Sequence, residues 1–260
     1  MTVKEWYRTF EERLSPSLSC EWDRDGIQCA PNPEKTVNRI LCTLDVTERV
    51  AKYAVENEID LIISHHPLLF RPLYALSNDA PVERALTLLV KHDIALFSFH
   101  TRTDAVDGGV ADLLANRIGL QDVRKIETEE GPLLRIGTLK EPMHLADYAD
   151  YVRTSLETDA VLLSTDNPQR LVSCVAVSGG EGGDFVSVAR ANGADLYVSG
   201  RIGYHRVLEG CDGGMAMLEA GHYFTEREIV YFFAAIAQEA ERDVDVVLYA
   251  PKGPMIILGS

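Results

Sequence analysis

The sequence lacks the features of exported, membrane-spanning or disulfide-stabilised proteins. Its five cysteines form no Cys-x-x-Cys pair, which argues for reduced thiols and against an iron-sulfur cluster or a structural zinc ribbon. The first residues carry charges throughout, and no run approaches the ~18 apolar residues of a membrane span. We therefore expect a cytoplasmic protein without membrane contact.

Basic residues are also scarce, with 25 Lys and Arg against 40 Asp and Glu and a formal net charge of -15. Nucleic-acid binding depends on cations that displace counterions from phosphates, so this charge argues against a DNA or RNA partner. The chain has no Gly-x-x-x-x-Gly-Lys phosphate loop either. Its 46% hydrophobic and 25% charged residues are ordinary for a globular protein, and 260 residues allow one large or two small domains.

The sequence does contain apolar patterns that predict alternating strands and helices. Residues 3–14 carry apolar side chains at helical spacing, and residues 40–46 form an apolar, β-branched run typical of a buried strand. A helical pattern and a second apolar run, DLIIS, follow. Such a unit predicts an α/β fold with a largely parallel sheet, whose ligands collect beyond the carboxyl ends of the strands. His65 and His66 lie at such an end.

The second half of the sequence repeats the order of the first. A strand, a turn, a helix and the pattern Asp-Leu-x-x-Ser occur twice, at the residues Asp60, Leu61 and Ser64 and again at Asp195, Leu196 and Ser199.

Further on, a strand leads to His100 with Asp104 four residues later, and another leads to His222 with Glu226 four residues later. Two matched features in the same order favour an internal duplication.

The duplication predicts two pseudo-symmetric αβ lobes whose His-x-x-x-acid motifs meet at a shared cleft. The polar segment 121–142 separates the two copies, so we expect the lobes to span 1–125 and 126–260, with the C-terminal segment packing on the first lobe. The segment 70–81, rich in turn formers, is expected to be a loop at the mouth of the site.

Six residues are candidate metal ligands, and all of them belong to the strand-end motifs just described. Imidazole and carboxylate groups together suit zinc, iron or manganese, and six of them suffice for two ions about 3.5–4 Å apart. The candidates are His65, His66, His100, Asp104, His222 and Glu226.

Each candidate has a simpler alternative explanation. The His pair could be ordinary surface residues, and His100 could simply cap the segment that follows it. Asp104 could be the N-terminal cap of the helix that reads GGVADLLANRIG. Thr225 could open the next long helix through a capping box with Glu228, which would make Glu226 an ordinary first-turn residue. His205 could act as an acid or base at the cleft or could simply pack.

Several motifs together resemble the NIF-three-like family of dinuclear-metal hexameric proteins, often named GTP cyclohydrolase 1 type 2 homologues. The resemblance covers nearly the whole chain and is densest in LCTLDVTERVAKYAVENEIDLIISHHPLLF, HTRTDAVDGGVADLLA, SGRIGYH and GHYFTERE. It implies two intertwined, duplicated αβ lobes with mixed sheets, assembled as a toroidal homohexamer. It also implies that the six candidates hold two divalent ions, with Asp104 and Glu226 at or between them.

The chain departs from the family pattern at three places. Residues 23–28 read Asp-Arg-Asp-Gly-Ile-Gln and lack the family's Asn, and Arg201 replaces the usual Asp before Tyr-His. Arg102 and Thr103 differ from the smaller or apolar residues common after the His-Thr pair. We interpret these changes as altering substrate contacts while the ligands are kept.

Two functions remain open on this evidence. The first is a metal-dependent hydrolase acting on a small molecule such as a nucleotide or phosphoester, in which His205 and Arg201 would steer a proton or an anionic group. The second is a non-catalytic metal-binding, metal-delivery or scaffold protein that works through its assembly. An open coordination position and a proton-transfer group would distinguish an enzyme from a storage site.

Overall fold

The computed structural model describes residues 1–253, in which helices and strands alternate through most of the chain. The helices are α1 (Val3–Arg13), α2 (Glu48–Glu56), α3 (Pro81–Lys91), α4 (Thr101–Ala105), α5 (Val110–Arg117), α6 (Leu145–Ser155), α7 (Val186–Ala191), α8 (Tyr204–Asp212), α9 (His222–Glu226) and α10 (Ile229–Ala240). The strands are β1 (Gly26–Cys29), β2 (Arg39–Thr43), β3 (Leu61–Ser64), β4 (Ala95–Ser98), β5 (Gln121–Thr128), β6 (Gly131–His144), β7 (Leu162–Ser164), β8 (Leu171–Val177), β9 (Leu196–Ser199), β10 (Ala216–Glu219) and β11 (Asp245–Leu248). The mixed sheets confirm the predicted α/β class with α+β character.

The chain divides into two compact units. The first comprises Met1–Thr103 and Ile229–Pro251, and the second comprises Asp104–Glu228 with Lys252 and Gly253 among the described residues. This division differs from the expected one at residue 125, because the first unit ends at Thr103. The C-terminal elements α10 and β11 belong to the first unit, on which that segment was expected to pack, and β11 pairs in parallel with β2. The polar segment expected to separate the lobes forms β5 and most of β6. Residues 254–260, included in the predicted second lobe, lie outside the described residues.

The first unit is built on a five-stranded sheet in the order β1-β4-β3-β2-β11. Strands β2, β3 and β4 are parallel and almost wholly buried, since helices cover both faces of the sheet. Helices α2 and α3 pack against one face through residues such as Val50 and Leu89. On the other face Phe10 of α1 stacks on Phe99 at 5.3 Å between ring centroids and meets Phe233 of α10 at 6.4 Å.

The second unit contains a six-stranded sheet in the order β5-β6-β8-β9-β10-β7. Strands β8, β9 and β10 are parallel, whereas the outer pairs are antiparallel. Helices α5 and α6 cover one face with a core that includes Leu114 and the fully buried Tyr148. Burial raises the pKa of the Tyr148 hydroxyl, which donates to the Ile118 carbonyl at 3.0 Å.

The two units share a local design that supports the repeat found in the sequence. Asp60 precedes β3 and accepts hydrogen bonds of 2.8 and 3.2 Å from two backbone N–H groups at the start of β2. Asp195 precedes β9 and accepts bonds of 3.0 and 2.9 Å from two backbone N–H groups at the start of β8. Asp60 and Asp195 therefore have the same role in each unit, because each connects its own strand to the neighbouring parallel strand.

Replacing Asp60 or Asp195 by alanine is expected to destabilise the protein by about 1–3 kcal/mol for each site, because two strand N–H groups lose a charged acceptor. Urea unfolding followed by circular dichroism measures the loss. The Asp→Asn variants keep one acceptor oxygen and should lose less. Equal stability of the alanine variants and the wild type would contradict this role.

The same two units contain no helix that is long and apolar enough to cross a membrane within residues 1–253.

Candidate metal centre

Three histidines of the first unit converge at the carboxyl ends of adjacent strands. His65 and His66 directly follow β3, and His100 lies two residues beyond the end of β4. Because β3 and β4 are parallel neighbours with Ser64 opposite Ser98, their carboxyl ends meet at one edge of the sheet. One ring nitrogen from each imidazole lies within 4.8 Å of the others, which is close enough for all three to bind one metal ion.

Hydrogen bonds at Nδ1 orient each of these imidazoles. His66 Nδ1 lies 2.8 Å from the Asp45 carboxylate, and His100 Nδ1 lies 3.0 Å from the Asp23 carboxylate. His65 Nδ1 lies 2.9 Å from the Thr103 hydroxyl. A histidine whose Nδ1 is engaged in this way presents Nε2 as the metal-binding nitrogen, in a fixed tautomer and orientation. His66 and His100 thus have the carboxylate support that is typical of metal-binding histidines.

Asp23 is the supporting residue that the sequence analysis missed. Its carboxylate is buried and accepts hydrogen bonds from His100 Nδ1 and from the backbone N–H and hydroxyl of Thr101, the latter two at 2.9 and 2.6 Å. Burial alone would raise the pKa of Asp23, but the bonds from His100 and Thr101 outweigh it and hold the pKa well below its usual range. The sequence contains a signal for this role, since residues 23–26 keep the first Asp of the family motif although they lack its Asn.

Thr103, which departs from the common residues of the family pattern, also belongs to this support. Its hydroxyl is buried beside His65 and lies 2.7 Å from the carbonyl oxygens of both Phe99 and His100. Arg102 is buried as well, and its guanidinium forms two hydrogen bonds of 2.7 Å with the Asp25 carboxylate. The Arg102–Asp25 pair therefore anchors the loop that carries Asp23.

The second unit brings together the acidic candidates and the fourth histidine. Asp104 and Glu226 each offer a carboxylate oxygen within 4.8 Å of the other. Glu226 is buried on α9, and its Oε2 lies 3.1 Å from His222 Nε2 one helical turn earlier. Residues four apart lie on the same face of a helix, which explains why the His-x-x-x-Glu spacing brings these two groups together.

Two glycines after β8 make room for Glu226. Gly180 has a φ of +57°, and a Cβ on it would overlap Glu226 Oε1 and lie 3.1 Å from His222 Nε2. A Cβ on Gly179 would overlap the Val110 side chain and lie 3.1 Å from Glu226 Cγ. The backbone of this turn therefore lies directly against the two ligand candidates, at a distance that only glycine permits.

The capping alternatives are wrong for Asp104 and Glu226. The helix α5 is capped by Gly109, without a side-chain hydrogen bond, and Asp104 lies within α4. Thr225 lies within α9, where its hydroxyl is 2.9 Å from the His222 carbonyl, so it does not open the long helix α10. Asp104 and Glu226 instead place carboxylate oxygens within 4.8 Å of each other, a separation that suits two ligands of one metal ion.

His205 and Arg201, the candidates for proton and anion steering, have less support. His205 is exposed near the start of α8, where it contacts the Tyr204 ring at 5.4 Å, and Arg201 is exposed just after β9. Among residues 1–253 neither side chain has a hydrogen-bond or ion-pair partner. Their roles stay predictions.

The donor set fits a divalent transition-metal ion. Three oriented imidazoles in the first unit, and an imidazole with two carboxylates in the second, are the nitrogen and oxygen donors that zinc, iron and manganese accept. The described residues thus contain His, Asp and Glu groups that can hold metal, on an α/β scaffold with ligands at the carboxyl ends of parallel strands.

Comparison with known proteins identifies the class. Residues 1–252 match the model of the family described as Duf34/NIF3 (NGG1p interacting factor 3). The "GTP cyclohydrolase 1 type 2 homolog" of Streptococcus pneumoniae is 30% identical over 94% of this chain and 92% of that protein, and the "NIF3-like protein 1" of Drosophila melanogaster is 30% identical over 96% and 87%. The crystal structure of a Bacillus cereus protein related to NIF3 has the same fold, with a TM-score of 0.90, 23% identity and 99% coverage of both chains. The chain belongs to the DUF34/NIF3 family, as the resemblance in the sequence implied.

Proposed function

We propose that this chain is a metal-dependent hydrolase that holds two divalent ions and acts on a small nucleotide or phosphoester. The ligands in this proposal are His65, His66, His100, Asp104, His222 and Glu226. The observation that carries it is the set of three imidazoles whose Nδ1 atoms are all engaged by acceptors, an arrangement that orients metal ligands. The name of the S. pneumoniae relative, a GTP cyclohydrolase 1 type 2 homolog, supports a nucleotide as the substrate.

Bound divalent ions would lower the pKa of a coordinated water and polarise the bond under attack. The chain's own residues would supply the rest of the site. Asp23, Asp45 and Thr103 would keep the imidazoles in place, and the buried Glu226 would add negative charge that favours a cation. His205 would serve as the acid or base, and Arg201 would attract an anionic group of the substrate.

A metal-binding or metal-delivery protein without turnover is the second candidate. The position of His205 favours it, because a general base is normally oriented by a hydrogen bond and His205 has none within residues 1–253. In either case we propose a cytoplasmic homohexamer. Zinc, iron and manganese all suit the donor set, and their order of affinity does not decide which one is bound in a cell.

Elemental analysis of the purified, untagged protein, together with its mass in solution, tests the metal proposal. We expect about two transition-metal ions per chain in a hexamer. A screen of nucleotides and phosphoesters then separates the two candidates, since only the hydrolase turns a substrate over. A protein that contains no metal and takes up neither zinc, iron nor manganese would rule out both.

The variants Asp104→Ala and Glu226→Ala should each lose at least one of the two ions while keeping the circular dichroism spectrum of the wild type, because each removes a carboxylate ligand. Asp107→Ala is the matched control, since this nearby carboxylate is exposed and pairs with Lys125 at 2.7 Å. It should keep both ions. Full metal content in Asp104→Ala or Glu226→Ala would overturn the assignment of that residue.

A further inference from the structure

Two large aromatic side chains stand half-exposed beside His100. Trp22 is 44% and Phe70 49% exposed, although burial of such rings would stabilise the protein. Their ring centroids lie 5.9 and 6.3 Å from that of His100, at steep interplanar angles of 72° and 79°. The two rings also meet each other edge to face, at 6.1 Å and 66°. We call this pair the aromatic corner.

Hydrogen bonds and an ion pair fix the loop that carries Trp22. Asp23, the next residue, is fixed by bonds from His100 and Thr101, and the buried Arg102–Asp25 pair anchors the same loop. Trp22 therefore directly precedes a buried, hydrogen-bonded polar network of the first unit. Its half-exposed ring extends from this backbone and contacts the rings of Phe70 and His100.

The Phe70 side is tied to the same loop by a side-chain bridge. The Gln28 side chain accepts a hydrogen bond of 2.9 Å from the backbone N–H of Leu69 and donates one of 2.7 Å to the Arg24 carbonyl. The segment after His66 is thus connected to the segment that carries Trp22. Rings held in this way lose little conformational entropy when a ligand binds, which favours recognition.

We propose that the aromatic corner is a subsite for a planar heteroaromatic ring of a small-molecule ligand. Exposed aromatic rings bind planar bases by stacking or edge-to-face contact, and such contacts tolerate different ring systems. The corner adjoins His100, so a ring bound there lies next to the candidate ligand triad. Its role as a substrate subsite rests on the metal function proposed above and narrows the substrate class to compounds with such a ring.

The size of the corner argues for a small molecule over a protein partner. A stable protein interface needs about 800 Å² from each partner, far more than two side chains provide. Tyr74, further along the loop that carries Phe70, is 97% exposed and makes no ring contact with any residue in the described part of the chain. Tyr74 therefore serves as a control for non-specific binding of ring compounds to exposed aromatic residues of this loop.

Tryptophan fluorescence gives a direct test, because the chain has only two tryptophans and the other, Trp6, is fully buried. The probes are guanosine, uridine, pterin and nicotinamide, with ribose as the control that lacks a ring. We expect at least one ring compound to quench the fluorescence of the zinc-loaded wild type in a saturable manner. Trp22→Phe, which keeps Trp6, should lose that quenching, and ribose should cause none.

Calorimetry with the compound that quenches provides the second readout. Trp22→Ala and Phe70→Ala should each weaken its binding at least about tenfold, the equivalent of 1.4 kcal/mol, whereas Tyr74→Ala should leave it unchanged. No quenching by any of the four ring compounds, equal binding of ribose, or an equal effect of Tyr74→Ala would overturn the subsite.

Metal content measured on the same samples separates this proposal from the function on which it rests. Two ions per chain with no ring binding would overturn the subsite alone. Ring binding to a protein that takes up no metal would overturn the metal function and leave the ring site in place.

Discussion

Asp23→Ala is expected to lower the affinity of the protein for Zn²⁺ by about 10- to 100-fold, the usual effect of removing a carboxylate that orients a ligand histidine. The Asp23 carboxylate is buried and lies 3.0 Å from His100 Nδ1, so its loss frees the imidazole to rotate. The backbone N–H of Thr101 also loses its acceptor, which should cost about 1–3 kcal/mol of stability. Competition with a chromophoric chelator measures the first effect, and urea unfolding of the metal-free protein measures the second.

Asp45→Ala is the matched control for this prediction. Asp45 supports His66 in the same way, with 2.8 Å between the carboxylate and Nδ1, but its side chain is 51% exposed. Water can replace an exposed acceptor, so we expect a smaller loss of affinity and almost no loss of stability. Zn²⁺ binding by Asp23→Ala at the wild-type affinity would show that Asp23 serves the fold alone.

Gly180→Ala is expected to abolish metal binding by His222 and Glu226, the proposed ligands that lie against this glycine. The new methyl group would overlap Glu226 Oε1 and lie 3.1 Å from His222 Nε2, so both side chains would have to move. The φ of +57° adds about 1–2 kcal/mol of backbone strain, and the overlap adds about 1–3 kcal/mol. Metal content by elemental analysis and thermal unfolding measure the two consequences.

Gly193→Ala separates the strain from the overlap. Gly193 has a φ of +82°, but a Cβ there would meet nothing within 4 Å. This variant should lose about 1–2 kcal/mol of stability to backbone strain alone and keep its metal content. If Gly180→Ala behaves like Gly193→Ala, then the glycine turn after β8 does not shape the candidate site.

The sequence predicted secondary structure best where apolar residues form a continuous run or recur with a regular period. Strands β2, β3 and β4 are buried on both faces, so their continuous apolar runs could be recognised without a structure. The edge strand β5 could not be recognised, because most of its side chains are exposed and it resembles a polar linker. The boundary between the units was misplaced for the same reason.

The candidate ligands were predicted from the sequence because strand ends and helical spacing are local properties. His65 and His66 directly follow a buried strand, and His222 and Glu226 are four residues apart on a helix. The duplicated Asp60 and Asp195 could also be matched, since each precedes a strand of the same pattern. These relations span few residues, and short-range geometry follows from chain periodicity.

Only the tertiary structure decided what surrounds the candidate ligands. Asp23 lies 77 residues from His100 in the chain, and Gly180 lies 42 residues before His222, so no local period relates them. The return of α10 and β11 to the first unit likewise depends on the pairing of β11 with β2. Which distant segments meet is set by how the buried faces of sheets and helices pack, and this determines the orientation of each imidazole and the space left for Glu226.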